Sequence, residues 1–174
     1  MRILSLSYDP HQTYLIAYQI AQIKPEEGEE NPDIEYMGAA DLEEFERELE
    51  SKGTSPGIVI IDSLWLSAFA GPRADSICAK IADQACPVIM INNMPEIREG
   101  NTAFSAKCPD NPVLFVETRS VLNGTFSGIL LEVADLVGAG AATQNFLSAL
   151  QQYIDSNRCF QDHDLNFQLG LMSN

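Results

Sequence analysis

The chain has 174 residues, 45% hydrophobic and 20% charged, enough for one domain with a sizeable core and too apolar for a disordered chain. Its 25 acids against 10 bases leave a formal charge of −15, so the surface repels phosphate backbones and anionic lipids, which argues against nucleic-acid and membrane partners.

In chain order, Arg2 to Ser7 is a short apolar strand, followed by Asp9-Pro10, a helix N-cap and the residue best tolerated in a first turn. Ile16, Ile20 and Ile23, at i, i+4 and i+7, give this first helix one apolar face, and Lys24-Pro25 stops it. The stretch KPEEGEENPD, 24–33, has nothing to bury and reads as an exposed loop; the acids of Glu26 to Glu35 and Asp41 to Glu50 read as one solvated edge. Ile34 to Met37 is a second strand. Asp41 caps a second helix with Leu42, Phe45 and Leu49 on one face. The run Gly57-Ile-Val-Ile-Ile-Asp62 is the strongest strand, its uninterrupted β-branched residues suiting burial on both faces. A third helix near Arg73 to Asp83, with Ile77 and Ile81 sharing a face, leads to a fourth strand, Pro87 to Ile91, ending in Asn92-Asn93. Val113 to Glu117 is a fifth strand. Between Ser120 and Val133 the pattern admits a hairpin turning at Asn123-Gly124 or a helix from Ser127 onward; a strand followed by a loop is the preferred expectation. Phe146, Leu150 and Ile154 mark a last amphipathic helix. Residues 1–156 then form a single domain and 157–174 a loosely packed C-terminal tail.

Strands that alternate with helices imply right-handed crossovers into a parallel sheet. The expected fold is therefore α/β, doubly wound and flavodoxin-like: a five-stranded parallel sheet with helices on both faces, with room for an extra strand or hairpin near 120–133. The N-terminus lacks the basic flank and apolar core of a signal peptide and no apolar stretch reaches membrane-spanning length, so a cytoplasmic location is expected. Cys78, Cys86, Cys108 and Cys159 form no Cys-x-x-Cys pair, and His11 and His163 stand at no zinc-finger spacing. Cys78, within a helix, and Cys86, just before a strand, read as small buried hydrophobes.

In an open parallel sheet, chemistry gathers beyond the carboxyl ends of the strands. Ser7 to Asp9, Asp62-Ser63 and Asn92-Asn93 fall there. Asp62 stands out, because an acid that ends an apolar strand is costly to bury without a partner. Leu64-Trp65-Leu66 and Phe69 place bulky apolar groups on the next loop, which marks Trp65 and Phe69 as a contact surface. Asp9 is equally accounted for as a cap, and Asn92 as a turn residue.

RILSLSYDPHQ (2–12), IVIIDSLWLSAFAG (58–71) and PVIMINN (87–93) resemble, in order and spacing, three segments of the response-regulator receiver domain of the chemotaxis-protein type, over residues 1–118. The resemblance implies a two-component signalling role and places Asp62 at the phosphoacceptor position and Asn92 at the switch position. It implies a magnesium ion, for which Asp9 and Asp62 are the available acids. The family's adjacent acidic pair falls on Ser7 and Tyr8, so that metal site is expected to be weak. The family's lysine is matched only by a displaced Lys107-Cys108-Pro109 or by Arg119 just past the fifth strand.

The leading expectation is a pseudo-receiver: a protein-interaction module with impaired or absent phosphotransfer, whose partner is a kinase, another signalling component or a second copy in a homodimer. A catalytic role is less favoured than a binding one. The first alternative is an active, atypical receiver phosphorylated on Asp62. The second is an enzyme or small-molecule binder on another doubly wound scaffold; residues 5–12 contain no glycine, which argues against a dinucleotide or P-loop site there.

Overall fold

The computed structural model describes residues 1–7, 9–23, 34–51, 55–63, 72–92 and 111–156, with backbone alone at 72–74 and 92. Five strands, β1 (Arg2–Leu6), β2 (Glu35–Ala39), β3 (Ile58–Asp62), β4 (Val88–Asn92) and β5 (Val113–Glu117), pair in parallel in the order β2-β1-β3-β4-β5. This is the strand order of the flavodoxin-like class. The described helices are α1 (Pro10–Gln22), α2 (Leu42–Leu49), α3 (Pro72–Ala82), α4 (Thr118–Leu122), α5 (Phe126–Gly138) and α6 (Gln144–Ser156).

Strand alternation divides the apolar residues into two layers. Ile3, Ile58, Ile60, Ile89, Ile91, Leu114 and Val116 face α1, α4, α5 and α6, where they meet Ile16, Val121, Phe126, Ile129, Leu130, Val133, Leu147 and Leu150. Leu4, Leu6, Val59, Ile61, Val88 and Met90 face α2 and α3, against Leu42, Phe45, Leu49, Ile77 and Ile81. Every residue of β1 and β3 is buried, as the apolar run Ile58–Ile61 predicts for β3. Each fully buried Ile, Leu or Phe contributes about 1.5–3 kcal/mol, so these two layers are the main source of stability.

Local signals act where the sequence places them. Asp9 Oδ1 accepts from the His11 N–H at 2.9 Å, and Pro10 opens α1. Asp41 Oδ1 accepts from the Glu44 N–H, while Glu44 Oε2 accepts from the Ala40 N–H, both at 2.8 Å. The acids of α2 are less free than a solvated edge implies. Glu48 pairs with the buried Arg2 at 2.5 Å, and Lys80 reaches Glu46 at 3.3 Å and Glu50 at 2.8 Å. At β2, Gly38 is required by packing, since a Cβ there would run into the Thr13 methyl group.

One expectation is overturned. The strand or hairpin near 120–133 is absent: residues 118–122 and 126–138 are helical, and Asn123-Gly124 turns between two helices, with Gly124 at φ +86°. The reason lies in the outer face of α5. The buried residues Phe126, Ile129, Leu130, Val133 and Ala134 do follow a 3.6-residue period, but the opposite face includes Gly128 and Leu131 beside Ser127, Glu132 and Asp135, so the polar stripe that would mark it is interrupted. The tail at 157–174 lies outside the described residues.

Candidate functional site

Because all five strands are parallel, their carboxyl ends share one edge of the sheet. Leu6 is in register with Ile61, which brings Ser7 level with Asp62; Asp62 is in turn level with Ile91, and Asn92 with Glu117. The alternation that points Ile58 and Ile60 toward the α1 layer puts Asp62 on that side too, and Ser7 follows Ile3 and Ser5 on the same side.

Asp62 is 1% exposed and Ser63 8%. A carboxylate so placed is sustained only by polar or charged company. Level with it, the end of β1 and the first turn of α1 carry further buried polar groups. Ser7 Oγ, itself buried, donates to Gln12 Oε1 at 2.6 Å and accepts from the Asp9 N–H at 3.3 Å. Gln12, one turn into α1, is 4% exposed, and its Nε2 is buried without a hydrogen-bond partner. The first turn of α1 is thereby tied to the end of β1, at the level of Asp62.

The sequence-derived site residues fare differently. Asp62 is brought level with Ser7, inside the fold. Asp9 sits at the exposed N-cap of α1, with one carboxylate oxygen engaged by its own helix. Asn92 ends β4 as expected, and its side chain lies outside the described set, as do Tyr8, Trp65, Phe69, Asn93 and Lys107 to Pro109. Arg119 is bound to Glu117 at 2.5 Å, both side chains well exposed, so its guanidinium is held at the end of β5. Gln12 was missed, because a glutamine in a first helical turn reads as surface. A signal for it existed: Gln12 shares the spacing of Ile16, Gln19 and Ile20, and all four are buried.

The donor set fits a magnesium ion poorly. Magnesium prefers a near-octahedral shell of oxygens with one or two carboxylates. Here the end of β1 carries a serine hydroxyl committed to a glutamine, Tyr8 follows it in sequence, and Gln12 Nε2 is an N–H donor that cannot ligate a cation. Among the described residues no group of three His, Cys, Asp or Glu gathers as a metal site. Also among them, no helix is long and apolar enough to cross a membrane.

No family model matches the chain, and no curated protein matches it. Among solved structures it is similar to a protein described as the yeast Spc42 trimeric coiled coil fused to another structure, at 14% identity and a TM-score of 0.52, covering 90% of this chain and 93% of that one. At that identity the likeness speaks to fold alone.

Proposed function

We propose that this chain is a degenerate receiver, a signalling module that works by binding another protein and in which phosphotransfer to Asp62 is impaired or lost. The observation that supports this reading is the Ser7–Gln12 hydrogen bond of 2.6 Å at the end of β1, in register with the end of β3 that carries Asp62. In an active receiver the end of the first strand supplies carboxylates for the cation that neutralises the incoming phosphoryl group. In this chain the same position is a closed, neutral pair that secures α1 to β1.

Without that cation, a phosphoryl group approaching a buried carboxylate meets like charge in a low-dielectric setting. The strand edge keeps its shape, and recognition of a kinase, another signalling protein or a second copy becomes its use. The sequence after Asp62 adds Trp65 and Phe69, bulky apolar residues suited to such a contact.

Intact-mass measurement after incubation with acetyl phosphate, with and without magnesium, tests this. The expected result is no added mass in either condition. A magnesium-dependent gain of one phosphoryl group, lost in Asp62→Asn, would overturn the reading and establish an active receiver.

A further inference from the structure

Among the described residues, the order β2-β1-β3-β4-β5 leaves β5 at an edge of the sheet. The Val88 N–H donates to the Pro112 carbonyl at 2.8 Å, so in a parallel ladder Leu114 and Val116 direct their backbone groups toward β4, while Val113 and Phe115 direct theirs away from the sheet. An outward row of this kind is a template for another strand.

Two glutamines of α6 take up that row. The Val113 N–H donates to Gln144 Oε1 at 3.0 Å. The Phe115 N–H donates to Gln151 Oε1 at 2.7 Å, and Gln151 Nε2 returns a hydrogen bond to the Phe115 carbonyl at 3.0 Å. The Gln151 amide thus matches Phe115 as a neighbouring peptide group would. Both side chains are fixed from their own helix, Gln144 Nε2 by Ser148 Oγ and Gln151 Nε2 by Asp155 Oδ1, each at 3.2 Å. Two turns apart, they lay α6 along the strand in place of a sixth one.

We infer that the outer edge of β5 is a latent pairing surface for a second copy of this chain, and that Gln144 and Gln151 hold α6 over it as a cover. The choice of occupant follows from self-complementarity. When two copies of β5 meet across a twofold axis centred at Leu114, they run antiparallel, and Val113 of each copy faces Phe115 of the other. Each such pair exchanges both N–H···O=C bonds. The segment VLFV adds β-branched and aromatic residues with no charge and no proline to prevent pairing. Release of the cover therefore converts the edge into a dimer interface made mainly of main chain. This inference does not depend on the reading of Asp62.

The test uses the full chain carrying Gln151→Leu, and the same with Gln144→Leu added. Leucine keeps the apolar stem and removes the bonds to β5. The expected result is amide hydrogen exchange faster by roughly tenfold at Phe115, and at Val113 in the double variant, with a concentration-dependent monomer-to-dimer shift in sedimentation. Unchanged exchange would show that the glutamines do not protect the edge. Faster exchange in a chain that stays monomeric at every concentration would show that the edge is covered but not self-pairing, and either result overturns the inference. Gln151→Glu keeps the acceptor and loses the donor; it is expected to stay folded, with exchange between the parent and the leucine variant. If the leucine variants do not fold, this variant's exchange and sedimentation decide the matter by the same criteria.

Discussion

Glu132 lies half-buried within α5, and burial first, then the charge of Asp135, push its carboxyl from 4.5 up to about 7. Between those two values the folded chain holds a proton that the unfolded chain has released. The stability this provides is fully present below the unfolded value and is lost as pH rises through the folded one. Glu132→Gln is expected to leave stability little changed below about pH 4.5. Above about pH 7 it should raise it by about 1 kcal/mol, a figure discounted for solvent screening of a half-buried group. Urea unfolding of both proteins on each side of this window checks it, and parallel pH profiles would remove Glu132 as the cause. Sequence shows that an acid stands in an apolar run, but not how deep the run is sunk. For the same reason Asp9 and Asp62 were visible as candidates while Gln12 was not: polarity is legible in a sequence, and the burial of a polar group is set by what packs over it.

At the level of elements, one side chain adds polar bonds to the apolar packing between α1 and the α4–α5 turn. Gln19 Nε2 donates to the Val121 carbonyl at 2.6 Å, and Gln19 Oε1 accepts from the Ser127 N–H at 3.0 Å, both near the ends of short helices whose backbone groups lack intrahelical partners. Gln19→Leu keeps most of the volume and leaves a buried carbonyl and an N–H unsatisfied, which is expected to cost about 2–3 kcal/mol. Chemical denaturation checks this, and a loss well under 1 kcal/mol would mean that the turn is held by apolar contacts alone. The elements differed in how far they could be read. β3 was legible because IVIID is apolar without interruption, and α2 because Leu42, Phe45 and Leu49 stand against charged neighbours. In α6 the face marked by Phe146, Leu150 and Ile154 packs on the core, with Leu147 buried beside it as a further member. The glutamines that bind β5 have no hydrophobic signature at all.

For the whole molecule, 25 acids against 10 bases outweigh the local pairing. Arg2, Arg47 and Lys80 are all engaged with acids of α2 and its C-cap, and these pairs leave the excess of acids in place. Exposed pairs such as Lys80–Glu50 weaken in salt, yet each contributes about 1 kcal/mol or less, whereas the unbalanced acids repel one another across the whole surface. Raising ionic strength from a few millimolar to physiological salt is therefore expected to increase Tm by about 3 °C. A Tm that falls with salt would mean that the ion pairs around α2 dominate.

The two apolar layers described above also differ in when they can close. The layer under α2 and α3 draws on residues from Leu4 to Val113, so nearly all of it has been made before the last strand is finished. The layer under α1 needs Phe126, Ile129, Leu130, Val133, Leu147 and Leu150, all of which follow the last strand. During synthesis, the face of the sheet with α1 must therefore wait with its isoleucines uncovered until the final described helix emerges, and that interval is when the nascent chain most needs shielding.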